Sequence, residues 1–341
     1  MSSSAGIQQF GRVATLLLFD QTGKGLDLSD LRFNFEITAA DVETPNTAVI
    51  RVYNLSKQTV DLAIQEYSNV VIQAGYTGNV GEIFRGTVKQ YRRGKERNVD
   101  SFLDIYAADS DPAYNFALVN ATLAPGAPST ILSNLVNTLN DAETQAQLSI
   151  DSTAKKQAIT LDPAASDFLD SHGGILPRGK VMYGLSRSYM RDLATTVRSR
   201  WSIQNGVVVL IPLDSYLSDD PIVINSATGM IGVPEATEQG IVLECLLNPL
   251  MRVGRPVRLN NADITSATVK QQFFPGYTDF NLIATVDSST DGLYRPVVVE
   301  HSGDTRESNW TTRIICLLID KSSPQADSVA PYGIPGGTGP Q

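Results

Sequence analysis

Hydrophobic and polar residues alternate along much of the first third of the chain. The stretch LRFNFEITA carries apolar side chains at every second position, at Leu31, Phe33, Phe35 and Ile37. A period of two places apolar side chains on one face of a β-strand and polar ones on the other. Similar runs predict further strands at residues 47–55, 69–76, 82–91 and 99–108. We therefore predict a mainly antiparallel β-barrel, closed or nearly closed, from residue 11 to about residue 110.

One helix interrupts this β pattern between residues 56 and 67. Val60, Ile64 and Tyr67 are spaced so that they share one helix face. Ser56 precedes them, and a serine at that position accepts a hydrogen bond from the first free backbone N–H groups.

The middle third changes from a β pattern to an α/β pattern. Pro128 begins an amphipathic helix, with apolar residues at Ile131, Leu132, Leu135, Val136 and Leu139. A second helix in SRSYMRDLATTVRSRW directs inward Tyr189, Met190, Leu193 and Val197. Asn205 and Gly206 then predict a tight hairpin, because both tolerate positive φ.

Strand-like runs resume after the middle third, in PIVIN, GIVLECLLNP, RPVRLN, LYRPVVVEH and WTTRIICLLID. The predicted fold class is mainly β with an α/β middle region. The predicted domains are residues 1–112, 113–213 and 214–322, followed by a disordered Pro/Gly tail at 323–341.

Two hairpins resemble each other along the chain, at residues 82–109 and 293–320. In this alignment Phe84 and Arg85 fall on Tyr294 and Arg295, and Gly94 comes near Gly303. Residues 105–109 match residues 316–320 with a one-residue shift. The similarity indicates two related barrels and predicts the same strand order around both hairpins.

The chain of 341 residues has 36 acidic and 27 basic residues, a net charge of −9. This balance disfavours electrostatic capture of nucleic acid. The one basic run, YRRGKER at residues 91–97, is interpreted as a solvated hairpin tip, with a phosphate or partner patch as the second reading. No apolar run approaches a membrane span, and the first residues lack the pattern of a signal peptide. We expect the chain to stay in the cytoplasm that makes it.

Several rare residues fall close together near the C-terminus. They are His301, Trp310 and Cys316, with Ser302 and Asp304 beside them. A catalytic triad requires groups that converge from separate elements, whereas these residues are sequence neighbours in one turn, where adjacent side chains point apart. We therefore interpret this cluster as a hairpin with its turn at residues 302–304 and with Trp310 opening the returning strand. The other histidine, His172, is predicted to lie in a loop.

The cysteines, the acidic pairs and the glycine-containing segments give no stronger evidence for a functional site. Cys245 and Cys316 lie in apolar runs, so buried free thiols are expected, and no pair of cysteines or histidines has zinc spacing. The acidic pairs Asp219/Asp220 and Asp109/Asp111 are interpreted as solvated loop carboxylates. The remaining segments match no phosphate-binding, dinucleotide-binding or calcium motif: GKG at 23–25, GNVG at 78–81 and EATEQG at 235–240. We expect no catalytic residues, no cofactor and no metal.

Several segments together resemble the baseplate hub proteins of tailed bacteriophages, with a contractile tail favoured. These segments are PNTAVIRVYNLS, EIFRGTVKQY, RGKVMYGLSRSYMRDLA, WSIQNGVVVLIPL, MIGVPEATEQGIVLECLLNPLMRVGRPVRLNN and GLYRPVVVEHSGDTRESNWTTRIICL. They are spread over residues 30–320, and residues 124–176 match least.

The resemblance implies two tail-tube-like antiparallel β-barrels with an inserted α/β domain. It implies a homotrimer that joins a sixfold tail tube, or a tube-initiator protein, to a threefold central spike. A tape measure protein is a further implied partner, and DNA would pass through the channel without specific binding. The implied location is the baseplate of the virion tail, after assembly in the host cytoplasm.

Three other functions remain open at this point. A tail-tip enzyme that degrades cell wall would need catalytic motifs that the sequence lacks. A carbohydrate-binding module would need exposed aromatic platforms, whereas aromatic content is only 7%. A spike-like protein of a contractile secretion system would normally continue into a long β-helical repeat.

Overall fold

The fold was analysed in a computed structural model of the chain. The structure describes residues 10–20, 24–96, 99–147, 159–237, 240–259, 265–266 and 292–318. It is mainly β, with its longest helices in the middle third, so the predicted fold class is confirmed. The predicted Pro/Gly tail at 323–341 lies outside the described residues.

The N-terminal module comprises residues 12–108 and contains seven strands and one helix. These are β1 Arg12–Phe19, β2 Gly25–Asp27, β3 Phe33–Ala40, β4 Thr47–Tyr53, α1 Lys57–Glu66, β5 Asn69–Tyr76, β6 Asn79–Lys95 and β7 Ser101–Ala108. The predicted helix is confirmed, and the Ser56 hydroxyl accepts a hydrogen bond from the backbone N–H of Thr59 at 3.1 Å. The five predicted strands correspond to β3 to β7.

The middle module comprises residues 111–212 and is the α/β part of the chain. Its elements are α2 Asp111–Phe116, β8 Leu118–Leu123, α3 Pro128–Gln147, β9 Thr160–Leu161, α4 Pro163–His172, β10 Lys180–Leu185, α5 Ser186–Thr196, β11 Ser199–Gln204 and β12 Val207–Pro212. The hairpin at Asn205 and Gly206 is confirmed, since both residues have positive φ between β11 and β12. The elements that sequence patterns did not predict are α2, α4 and β8 to β10.

The C-terminal module comprises residues 222–318 and is again β. Its strands are β13 Ile222–Ile224, β14 Met230–Thr237, β15 Gly240–Leu246, β16 Val257–Leu259, β17 Thr265–Ser266, β18 Gly292–Asp304 and β19 Trp310–Leu318.

Six strands of each β-module follow the same order. In the N-terminal module the order is β3-β4-β7-β6-β5-β1, and every neighbouring pair is antiparallel. In the C-terminal module it is β14-β15-β19-β18-β16-β13, antiparallel except for the parallel pair β13 and β16. When these six strands are numbered 1 to 6 along the chain in each module, with β2 and β17 left out, both orders read 2-3-6-5-4-1. The predicted identity of strand order is confirmed, which supports internal duplication.

A shared β-bulge fixes which residues of the two modules are equivalent. In the first hairpin the pairing slips between Val88 and Gln90, and in the second it slips between Pro296 and Val298. A bulge inserts one extra residue into one strand, so it marks a single position in each hairpin. Val88 is therefore equivalent to Pro296. The sequence alignment, which placed Phe84 on Tyr294, was wrong by two residues.

The described apolar residues form three buried clusters, one centred in each module, and both β-module clusters take residues from another module: Trp310 in the N-terminal one, Val209 and Ile211 in the C-terminal one. The N-terminal core includes Leu16, Phe33, Phe35, Ile50, Ile72, Phe84, Ile105 and Trp310. The middle core includes Leu132, Leu135, Leu139, Leu169, Met182, Met190 and Val208. The C-terminal core includes Ile224, Leu243, Cys245, Val257, Tyr294, Ile314 and Cys316. Since inward side chains from six strands of each β-module meet in one cluster, each of these sheets curves around a single core.

Candidate functional site: the joint between the β-modules

The two β-modules are joined by strand pairing along β18. This strand of 13 residues pairs with β19 on one edge. On its other edge it pairs first with β16, from Gly292 to Tyr294, and then with β3, from Val298 to Asp304. The outer edge of β3 thus receives a strand from the second module. Within the described residues, both modules form one continuous sheet of 14 strands.

His301 lies inside this joint and is fully enclosed. It is opposite Ile37 of β3 and Thr312 of β19, and its Nδ1 lies 2.9 Å from the Thr312 hydroxyl. Burial lowers the pKa of His301 to about 4, since an apolar surrounding disfavours the charged ring. The imidazole is therefore neutral at neutral pH and serves as a packed, hydrogen-bonded residue of the joint.

The polar residues next to His301 in sequence, Ser302 and Asp304, form hydrogen bonds with groups other than the imidazole. The Asp304 carboxylate accepts the backbone N–H groups of Arg306 and Glu307 and pairs with the Arg32 guanidinium at 2.9 Å. These hydrogen bonds hold the pKa of Asp304 below its usual range, against the opposing effect of burial. The Ser302 hydroxyl donates to the side chain of Asn309. None of these contacts links histidine, serine and aspartate into a triad.

The predicted turn at residues 302–304 was wrong, because these residues continue β18. Ser302 and Gly303 pair with β3 and β19 at the same time, and the turn lies at residues 305–309. Gly303 permits a close approach. A Cβ there would lie 2.7 Å from the Phe35 ring and 2.7 Å from the Trp310 ring. A glycine inside a strand can mark such close packing as well as a turn.

Trp310 opens β19, as predicted, and its ring packs in the N-terminal core. It meets the Phe35 ring edge to face, with 5.5 Å between centroids, and the Arg12 guanidinium lies over the ring, 5.7 Å from its centroid. The last strand of the second module therefore supplies a core residue to the first. Sequence patterns placed Trp310 on a strand but did not indicate which core receives it.

Both cysteines are buried free thiols, as predicted. Burial raises the pKa of Cys245 to about 12 and raises that of Cys316 further. A thiol held protonated in an apolar core is a poor nucleophile and packs as a small hydrophobe.

A buried ionic cluster lies where all three modules meet. Asp41 follows β3, Arg200 belongs to the middle module, and Arg295 belongs to β18. The Asp41 carboxylate is 3.8 Å from the Arg295 guanidinium and 3.7 Å from that of Arg200. Burial raises the pKa of Asp41 to about 6, although both arginines oppose the rise. Arg295 also donates to the backbone carbonyls of Pro212 and Ser215, which connects β18 to the end of the middle module.

Asp109 attaches the middle module to the N-terminal one. Its carboxylate accepts the backbone N–H groups of Asn205 and Gly206, at 2.5 and 3.2 Å, and the Ser110 hydroxyl at 2.9 Å. Asp109 is fully buried, and this burial raises its pKa to about 7. The prediction of a solvated loop carboxylate was therefore wrong for Asp109. It fills the tight turn between β11 and β12.

The other acidic and histidine candidates do not converge. Asp111 is largely buried and pairs with Lys89, so a solvated carboxylate was also wrong there. Asp219 and Asp220 are exposed, as expected. His172 ends helix α4, not a loop, and its ring stacks on Phe168 with 4.4 Å between centroids.

The glycine-rich and charged segments singled out in the sequence lie in strands and turns of the β-modules. Gly78 has positive φ in the turn between β5 and β6, and Gly25 begins β2. In the basic run, residues 91–95 extend β6 beyond the end of β5, so they are more than a hairpin tip. Residues 235–237 of EATEQG belong to β14, and residues 238–239 lie outside the described residues. Of the described helices, none is long and apolar enough to cross a membrane, and the described residues hold no cluster of potential metal ligands.

The fold is similar to that of phage tail proteins. The tail protein from Neisseria meningitidis MC58 matches with a TM-score of 0.53 and 8% identity, covering 90% of this chain and 96% of that one. The 43 kDa tail protein of prophage MuSo2 from Shewanella oneidensis matches with a TM-score of 0.53 and 7% identity, covering 91% and 98%. No protein-family model and no curated protein sequence matches the chain. At these identities the likeness shows the fold, and at that level the resemblance to phage tail proteins is confirmed.

Proposed function

We propose that the chain is a structural hub of a phage tail baseplate, a trimeric adaptor between a sixfold tail tube and a threefold spike. The observation that carries this proposal is the repeated β-module. Two copies with one strand order are joined edge to edge within a single chain. Three such chains supply six equivalent modules, which suits a sixfold partner on one side and a threefold partner on the other.

The domain division belongs to this proposal. Residues 1–112 and 214–322 would be tube-like barrels, and residues 113–213 would be an inserted α/β domain. Three separate apolar clusters support this division. The ionic cluster at Asp41 and the anchor at Asp109 hold the inserted domain against the β-modules, as a rigid adaptor requires.

The partners follow from the same geometry. The tail tube, or its initiator, would stack on the ring of six modules, and the spike would bind the threefold side. A tape measure protein is a further candidate partner. Passing DNA would meet a chain with a net charge of −9, which disfavours adhesion of phosphates to the channel wall. The location would be the virion tail, after assembly in the host cytoplasm.

A role without catalysis fits the contacts of the candidate residues. His301 is neutral and enclosed, the thiols are buried, and Asp304 is occupied by Arg32 and backbone N–H groups. The alternatives remain a tail-tip cell-wall-degrading enzyme and a spike-like protein of a contractile secretion system. No contact among the described residues favours either over the hub.

The mass of the purified full chain in solution tests the trimer. We expect a species of about 110 kDa, three times the 36.8 kDa of one chain, to form as concentration rises. Sedimentation equilibrium at low and high salt measures it. A dimer as the end state would contradict the proposal, because two chains provide only four modules.

A further inference from the structure

Beyond Val88, whose backbone N–H donates to the Ser68 carbonyl, the outer half of β6 pairs with a described strand on one edge only. Strand β7 pairs with β6 along its whole outer half, to Lys95. On the opposite edge β5 reaches only as far as Thr87. No described strand covers residues 88–95 on that side. An exposed strand edge carries free N–H and C=O groups and pairs readily with another strand.

The equivalent segment of the second module shows what such an edge binds. From the shared bulge onward, Gln90 is equivalent to Val298 and Arg92 to Glu300. In β18 this segment, from Val298 to Asp304, pairs with the outer edge of β3. In the numbering within each module, β18 is the fifth strand of the C-terminal module and β3 is the second strand of the N-terminal one. At the joint, a fifth strand therefore pairs with the second strand of the other module. By this rule, the fifth strand of the N-terminal module, β6, should pair with the second strand of a C-terminal module, β14.

The register of that pairing can be derived from the pairs within the two modules. Ala48 of β4 faces Ala107, and Ile241 of β15 faces the equivalent Cys316. Across the next pair of strands, Ala48 faces Ile37, and Ile241 faces Ala236. Ala236 is therefore equivalent to Ile37, which makes Thr237 equivalent to Thr38 and Glu235 equivalent to Glu36.

We propose that residues 92–95 of β6 in one copy pair antiparallel with residues 234–237 of β14 in a second copy of this chain. Within the chain, Glu300 faces Thr38. The equivalent contact between copies places Arg92 opposite Thr237. The pairing deepens the proposed trimer and rests on it, since the same joint, repeated three times between chains, closes a ring of six modules.

Charge on the two strands supports this occupant. The outer half of β6 carries Lys89, Arg92, Arg93 and Lys95, all exposed, and no acidic residue before Glu96. Lys89 pairs with Asp111 and Arg93 with Asp61 within the chain, so Arg92 is the cation that the argument uses. Strand β14 carries Glu235, also exposed, and no basic residue. In the derived register Arg92 and Glu235 are diagonal neighbours on one face, within reach of an ion pair.

The edge of β14 has one competitor within the chain. The two-residue strand β17 pairs in parallel with Glu235 and Ala236. The proposed pairing of residues 92–95 with residues 234–237 would replace these two pairs with four. The proposal therefore requires β17 to leave this edge when the ring forms.

Disulfide trapping in the full chain tests the register. We expect the double variant Arg92→Cys/Thr237→Cys, oxidised at trimer-forming concentration, to give covalent dimers and trimers on a non-reducing gel. Directly opposite residues have Cβ atoms about 4.5–5.5 Å apart, which a disulfide can bridge. The matched control is Arg93→Cys/Thr237→Cys, in which a shift of one residue places the thiols on opposite faces. The native Cys245 and Cys316 are buried in both variants.

The outcomes separate this inference from the proposed function. A yield at least about tenfold higher in the first variant than in the control supports the register. A trimer by mass with equal or absent cross-linking in both variants would overturn the strand pairing and leave the trimer standing. A wild-type chain that never trimerises would overturn both.

Charge reversal gives a second readout that needs no disulfide. Arg92→Glu alone and Glu235→Arg alone should each weaken trimerisation several-fold, and the double variant should restore it. Lys57→Glu, on an exposed position of α1, should leave it unchanged. Equal weakening by the single and double variants would argue against contact between these two residues.

Discussion

Replacing Trp310 by alanine is expected to lower the free energy of unfolding by about 3–5 kcal/mol, as for other large aromatic side chains deleted from cores. Only 1% of Trp310 is exposed, and its ring contacts the Phe35 ring and the Arg12 guanidinium. The loss should extend beyond one module, because β19 carries this ring into the other module's core. Denaturant unfolding followed by circular dichroism measures the effect.

A matched control is Phe116→Ala, which also removes an aromatic ring. Phe116 is 70% exposed at the end of α2, so its replacement should change the free energy of unfolding by less than about 0.5 kcal/mol. Equal effects of the two substitutions would show that Trp310 does not connect the modules in the way its contacts indicate.

Replacing Asp109 by alanine is expected to cost about 2–4 kcal/mol, since it leaves two buried N–H groups, of Asn205 and Gly206, without an acceptor. The middle module should then loosen from the N-terminal one. Faster hydrogen exchange at residues 203–208 should accompany the loss, measured by mass spectrometry. The exposed Asp219→Ala serves as the control. Unchanged exchange in this turn would contradict the anchoring role.

The pH dependence of the Asp109 contribution has a definite sign. Its folded pKa of about 7 is above the unfolded value, so the folded state retains the proton longer. The contribution is complete below pH ~4 and is lost as pH rises through about 7. The stability difference between wild type and Asp109→Asn should therefore shrink between pH 5 and pH 8. A difference that stays constant over this range would show that Asp109 is already ionised in the fold.

Local signals in the sequence predicted much of the β structure. Alternation of apolar and polar residues located β3, β5 and both long hairpins, and Asn205-Gly206 located the tight turn between β11 and β12. These features depend on residues close in sequence, where the period of the side chains is decisive. Short strands such as β8 and β9 lack enough residues to show a period.

The joint itself could not be predicted, because it depends on contacts between residues more than 250 positions apart. His301 pairs with Ile37, and Arg295 approaches Asp41, through strand order rather than local pattern. Asp109 carries no local sign of burial, since the backbone N–H groups that donate to its carboxylate lie in a turn of another module. The bulges in β6 and β18 also leave no sign in the sequence. Without them to mark equivalent positions, the alignment of the two hairpins was displaced by two residues.

The most direct test of the proposed hub is its appearance along the symmetry axis. Electron-microscopic class averages of the purified trimer should show six similar densities at one radius, contributed by the two β-modules of three chains. Three further densities, from the middle modules, should impose threefold symmetry. An axial view with only three densities at that radius, or an open chain of subunits without closure, would contradict the account.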